Sequence, residues 1–118
     1  MQNKKIAVVG AGPSGMMAAI RASQFNQRVT LFEKNPFFGK KLLLSGKGRC
    51  NITNACNLDL FLCRFSKNGQ FLRNAFAKFF NQDLINFFEE RGLELKVERQ
   101  MRVFPSTDSS ESILEVLN

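Results

Sequence analysis

Lys4 to Lys34, KKIAVVGAGPSGMMAAIRASQFNQRVTLFEK, is the stretch whose reading decides the fold. Lys5 to Val9 is a short apolar run with β-branched residues, and it predicts a strand buried on both faces. Gly10, Gly12 and Gly15 follow at once in the spacing G-x-G-x-x-G. Gly10 permits a tight turn out of the strand. Gly12 has no side chain to hold a pyrophosphate away from the backbone, and Gly15 lets the next helix lie close to the sheet. The first amides of that helix have no partners within it and sit at the positive end of its dipole, so they suit a phosphate anion. Arg28 to Phe32 reads as the second strand, and Asn26 takes the left-handed residue after the helix. Glu33 closes the unit near the spacing of ~20 residues expected of a carboxylate that binds a ribose.

The motif alone is weak; its setting between strand, helix, second strand and acid makes it informative. An acid at position 33 disfavours a 2′-phosphate and so favours FAD or NAD over NADP. At 118 residues and 44% apolar, the chain is sized for one domain with a packed core. Its net charge is +7, and Glu33 is the only acid between Met1 and Cys50, so this half attracts anions. Three cysteines without a C-x-x-C pair, and no histidine, argue against a metal site and fit a reducing, cytoplasmic setting. Glycines, Pro13 and Ser14 interrupt the apolar N-terminal run, which therefore lacks the continuous segment of a signal peptide, and no membrane association is expected.

Gly39 to Asn54, GKKLLLSGKGRCNITN, is apolar at Leu42 to Leu44 and then rich in small polar and basic residues. Such a loop suits wrapping round a polar ligand, with Arg49 a candidate phosphate partner and Cys50 a candidate reactive thiol beside it. Asn57 to Phe65 predicts a short helix or an irregular packed segment. Gln70 to Phe80 predicts a helix whose phenylalanines face the core, and Leu84 to Phe88 a second one closed by Gly92. Leu93 to Val97 alternates as a half-buried strand and pairs with Met101 to Phe104 in a hairpin; Asp108 with Glu111 predicts a capping box for a last helix.

The glycine turn with Glu33, then S-G-K-G-R-C-N-I-T-N (Ser45 to Asn54) and M-R-V-F-P-S (Met101 to Ser106), resembles the start of a family of bacterial FAD-dependent oxidoreductases. Members are labelled conserved hypothetical flavoproteins, aminoacetone-oxidase-like or bile-acid-inducible reductase-like enzymes. The resemblance implies that Gly10, Gly12, Pro13, Ser14 and Gly15 hold the FAD pyrophosphate, Glu33 the ribose, and Lys34 the neighbourhood of the adenosine. It implies that Lys41, Ser45, Gly46, Arg49, Cys50 and Asn51 line the cofactor or the adjoining substrate space. Lys47 stands where the family usually has glycine, and Met101 where glycine usually precedes the arginine.

The expected fold class is thus α/β: a Rossmann-like FAD-binding β-α-β unit, an incomplete doubly wound sheet, followed by Phe-rich helices and a small β-hairpin. Residues 1–55 would form the dinucleotide unit with its loop, and 56–118 the helical and hairpin region. The resemblance also implies longer proteins with a discontinuous flavin domain, so the chain reads as the N-terminal portion of an FAD-dependent oxidoreductase. Its partners would be FAD, a small-molecule substrate, NAD(P)H as electron donor, and the remainder of the enzyme or a second copy. The rival readings are an NAD-binding dehydrogenase domain, a truncated remnant, and a basic nucleic-acid-binding module. Against the last stand the absence of a nucleic-acid motif and phenylalanines at core spacing. No residue is singled out as catalytic.

Overall fold

A computed structural model describes residues 3–118. Strand β1 (Lys5–Val9) and strand β2 (Arg28–Phe32) pair in parallel, Ile6 opposite Val29 and Val8 opposite Leu31. Helix α1 (Pro13–Ser23) makes the crossover, the short β-α-β connection that parallel pairing requires. Proline at its first turn supplies the fixed φ of a helix start. Asn26 turns the chain out of it with φ 56°, the left-handed conformation that asparagine tolerates.

The expectation that β1 is buried on both faces is corrected. Ile6, Val8, Val29 and Leu31 are half-buried, whereas the alternate residues are exposed, Val9 by 86% and Phe32 by 54%. Two strands and one helix cover one face only, so the alternation of a half-buried sheet wins over the continuous apolar run.

After β2 the chain forms a short helix, α2 (Lys40–Leu44), and a tight turn over Ser45–Gly48. Next come strand β3 (Thr53–Asn54), helices α3 (Leu58–Cys63), α4 (Arg73–Lys78) and α5 (Asn81–Glu89), strands β4 (Leu95–Glu98) and β5 (Arg102–Pro105), and helix α6 (Ser110–Leu117). The expected hairpin is present, and β3 joins it to give an antiparallel sheet in the order β3-β5-β4, separate from β1 and β2. The core joins the two regions: Met16 of α1, Leu42 of α2, Phe87 and Phe88 of α5, and Ile113 and Leu117 of α6 form one buried cluster.

Three local expectations change. Ser109, not Asp108, caps α6, its Oγ accepting the Glu111 amide at 3.3 Å; Asp108 has φ 56° and is drawn away into ion pairs. Asn57 caps α3 by accepting the Leu60 amide at 2.9 Å, so of the two forms expected for Asn57 to Phe65 the short helix forms, over Leu58–Cys63. The expected Gln70 to Phe80 helix is shorter: a 3-10 turn, Gly69–Leu72, leads into α4, which stops at Lys78, and Phe79 and Phe80 are extended; its phenylalanines divide too. Phe76 and Phe80 pack edge-on to Phe61 at 5.2 and 5.1 Å, while Phe71 is 88% exposed.

Candidate functional site

The sequence places a strand end, a glycine turn and a helix start together, and the structure gathers them at a cleft of ≈ 1070 Å³. Gly10 takes φ 100°, a conformation open to glycine, and its amide closes the turn on the Phe32 carbonyl at 2.7 Å. Gly15 sits where a Cβ would meet the Gly10 carbonyl oxygen at 1.9 Å, so only glycine lets α1 approach the turn this closely. A Cβ on Gly12 would have nothing within 4 Å, which leaves clear space in front of the helix. The first turn of α1 carries no acid and no side-chain cap, so its first amides are left without a partner from a capping side chain.

Glu33 closes the cleft opposite. Its Oε2 accepts the Ala11 amide at 2.8 Å, and its Oε1 accepts both the main-chain and side-chain nitrogens of Asn35 at 3.0 Å. The Asn35 and Ala11 amides hold its carboxyl below the usual glutamate range, so it is an anion at neutral pH. Lys34, Lys40 and Lys41 line the same cleft and supply positive charge beside the helix terminus.

This donor set fits an adenosine diphosphate group: unpaired amides and lysines for the phosphates, open backbone at Gly12, and a carboxylate for ribose hydroxyls. Of the residues singled out in the sequence, Gly10, Gly12, Pro13, Ser14, Glu33, Lys34 and Lys41 line the cleft, with Gly15 directly behind them. Asn35, Lys40 and the apolar wall of Val9, Phe32 and Leu44 were missed. Of these, Asn35 had a sequence signal: an amide two residues past an acid, where it can bind back to that side chain.

Ser45, Gly46, Arg49, Cys50 and Asn51 do not line the cleft. They build a tight loop in which Gly46, Lys47, Gly48 and Cys50 all have positive φ. The Ser45 carbonyl accepts the Cys50 amide at 3.0 Å, and Ser45 Oγ donates to the Leu42 carbonyl at 2.6 Å. A Cβ on Gly46 would lie 2.7 Å from the Asn51 nitrogen. The Asn51 amide, oriented as its neighbours require, donates to the carbonyls of Thr53 at 2.8 Å and Val103 at 3.1 Å.

Arg49 is turned to a different task. Its guanidinium pairs with Glu98 and with Asp108, the latter at 2.7 Å, and lies 4.1 Å from the centre of the Phe104 ring. It fastens the loop to β4, β5 and the approach to α6 rather than standing free for a phosphate. Cys50 is buried, and burial pushes its thiol pKa up, the reverse of what a reactive thiolate needs. Lys47 and Met101, where the sequence resemblance led one to expect glycine, adopt left-handed φ of 55° and 58°.

Among the described residues no group of side chains could hold a metal ion, and no helix is long and apolar enough to cross a membrane.

Comparison with known proteins agrees with this geometry. Residues 4–118 match the family described as HI0933-like protein Rossmann domain. The chain is 36% identical over 115 residues to a 3-dehydro-bile acid delta(4,6)-reductase of Clostridium scindens, covering 96% of this chain. It is 31% identical over 111 residues to a ribosomal RNA dihydrouridine synthase of Haemophilus influenzae, and 32% over 113 residues to one of Escherichia coli, each covering 93% of this chain. The chain spans 27% of the length of each of these relatives.

Proposed function

The chain belongs to the HI0933-like Rossmann-domain family, an FAD-binding family, and we propose that it is the FAD-binding N-terminal portion of a flavin-dependent reductase acting on ring double bonds. The observation that carries the cofactor reading is the convergence of the glycine turn and Glu33 on one cleft. In this reading the Ser14 and Gly15 amides bind the pyrophosphate, Gly12 leaves it room, and Glu33 accepts the ribose hydroxyls. Lys34 and Lys41 offset the phosphate charge. The loop from Ser45 to Asn51, which Arg49 braces against β4 and β5, lies outside this cleft and takes no part in holding the adenosine diphosphate half. Bound flavin supplies the two-electron chemistry, with a reduced nicotinamide nucleotide as electron donor. We propose a cytoplasmic setting, in which the three cysteines would stay reduced.

The substrate class rests on the relatives' names. A delta(4,6)-reductase of a 3-dehydro bile acid and a dihydrouridine synthase both add hydrogen across a ring C=C conjugated with a carbonyl. We assign this chain to the same reaction class.

The test uses FAD-loaded protein reduced anaerobically with dithionite. Mixing with a 3-oxo-4,6-diene steroid carboxylate, or with a uridine-containing RNA oligonucleotide, should restore the oxidised-flavin absorbance as the substrate double bond is consumed. Reoxidation by dioxygen but by neither substrate would overturn the assignment.

A further inference from the structure

A second cavity, of ≈ 570 Å³, opens between α3 and the turn of the β4–β5 hairpin, and it shares no lining residue with the glycine-turn cleft. Its size lies within the roughly 300–1,000 Å³ of small-molecule sites. One wall is apolar, made by Phe61, Phe65 and Met101. Phe61 is held from behind by the rings of Phe76 at 5.2 Å and Phe80 at 5.1 Å, so this wall is anchored to α4 and α5. Arg64, at the end of α3, and Arg102, at the start of β5, also line the cavity and come from parts of the chain distant in sequence.

These two arginines differ from their neighbours. The guanidiniums of Arg49 and Arg73 are committed to carboxylates. The Arg64 side chain has no hydrogen-bond or ion-pair partner among the described residues; Arg102 donates its Nε to the Arg99 carbonyl at 3.1 Å and lies 5.6 Å from the centre of the Phe104 ring, with no carboxylate partner. No carboxylate lines the cavity. Two forked donors with unspent N–H groups therefore line one concave space together with Phe61, Phe65 and Met101, a set of groups suited to an anion attached to an apolar ring.

The rim is built rather than loose. Gln100 and Met101 hold left-handed φ of 63° and 58°. The Asn54 side chain pins them, donating to the Gln100 carbonyl at 2.9 Å while its oxygen accepts the Cys56 amide at 3.0 Å. A costly conformation kept in place at a cavity mouth is a mark of a functional wall.

We propose that this cavity is the substrate subsite for an anionic, ring-bearing molecule, the ring lying on Phe61, Phe65 and Met101 and the anion on Arg64 and Arg102. The ligand class rests on the proposed reductase function: a bile acid and an RNA nucleotide, the kinds of molecule that the relatives' names point to, each join a ring system to an anionic group, a side-chain carboxylate or a phosphate on the sugar.

The test measures binding directly by calorimetry on the chain, with and without saturating FAD, using three probes: uridine 5′-monophosphate, a 3-oxo-4-ene steroid carboxylate and inorganic phosphate. At least one ring-bearing anion should bind saturably, and phosphate alone about tenfold more weakly or less. The nucleotide arm and the steroid arm distinguish the two sources of the chemistry. Arg64→Glu, at an exposed and unpaired position, should weaken that binding by about tenfold or more while leaving FAD affinity and the circular dichroism spectrum unchanged. Arg102→Gln serves as the second variant and should act in the same direction. Failure of both ring anions to bind, or binding unaltered in both variants, would overturn the proposal. Loss of FAD binding with ring-anion binding intact would instead strike the flavin reading and leave the subsite standing.

Discussion

The Glu33 carboxylate accepts the Ala11 amide at 2.8 Å, so the acid that ends β2 holds the middle of the glycine turn that follows β1. The same carboxylate is fixed from the other side by Asn35. Glu33 thus shapes the turn as well as presenting an acceptor to the cleft. Glu33→Ala should weaken FAD and ADP binding by about tenfold or more, the cost of unpaired ribose hydroxyls and a loosened turn. Equilibrium titration of wild type and variant checks this; equal affinities would remove Glu33 from the site.

Gly12 and Gly15 should separate binding from folding. A Cβ at Gly15 would lie 1.9 Å from a backbone carbonyl oxygen that cannot swing away, so Gly15→Ala should destabilise the chain by ~1–3 kcal/mol or more. A Cβ at Gly12 meets nothing within 4 Å, and its φ of −81° is open to alanine. Gly12→Ala should cost no more than about 1 kcal/mol of stability, the difference between two N-cap residues. It should still impair nucleotide binding, because the methyl enters the space in front of the helix. Thermal melts alongside FAD titrations check the pair. A Gly12→Ala variant that binds as wild type would contradict the placement of the pyrophosphate.

The ion cluster around Arg49 sets an acid dependence. The Arg49 guanidinium holds the Glu98 carboxyl below its ordinary value of 4.5, and Lys96 followed by Arg49 holds Asp108 below 3.8. Depressed carboxyl pKa values add stability that is fully present above the unfolded-state values and is lost as pH falls through the folded ones. The melting temperature should therefore be level near neutrality and decline below about pH 4.5, the usual glutamate value. Asp108→Asn should lower the neutral plateau and shallow the acid limb, and molar salt should narrow the gap between variant and wild type, since the pairs are partly exposed. Melting curves across pH check this; an acid limb unchanged in Asp108→Asn would contradict it.

Lys47 occupies a left-handed position, φ 55°, in the loop next to α2. Relief of that strain by glycine is worth ~1–2 kcal/mol, against ~0.4–1 kcal/mol for the added freedom of the unfolded chain. The strain term is the larger, so Lys47→Gly should raise stability by ~0.5–1 kcal/mol in denaturant titration. A net loss would mean that the lysine side chain contributes packing greater than its strain.

The β-α-β unit was legible because its constraints are local: the glycine spacing, the two apolar runs and Glu33 lie within one short stretch, and both strands formed with the bounds read from the sequence. What eluded the sequence depends on partners far along the chain. Thr53 and Asn54 become a strand only because β5 lies alongside, and two residues in a polar loop carry no periodicity. Arg49 beside glycines looked like an anion binder; its partners, Glu98 and Asp108, are 49 and 59 residues away. Phe71 matched the helical stripe of Phe76 and Phe80, but spacing does not reveal whether a neighbour exists to cover it. Asp108 read as the cap of the last helix from its spacing to Glu111; its partners Arg49 and Lys96 lie far along the chain, and the adjacent Ser109 takes the cap.

The most direct measurement is a fluorescence titration of the purified chain with FAD, with ADP as competitor. Saturable flavin binding that ADP displaces, and that Gly12→Ala weakens, is the result expected if the adenosine diphosphate half of FAD lies on the glycine turn. Flavin binding that ADP leaves untouched, or a folded chain that takes up no FAD, would contradict that placement.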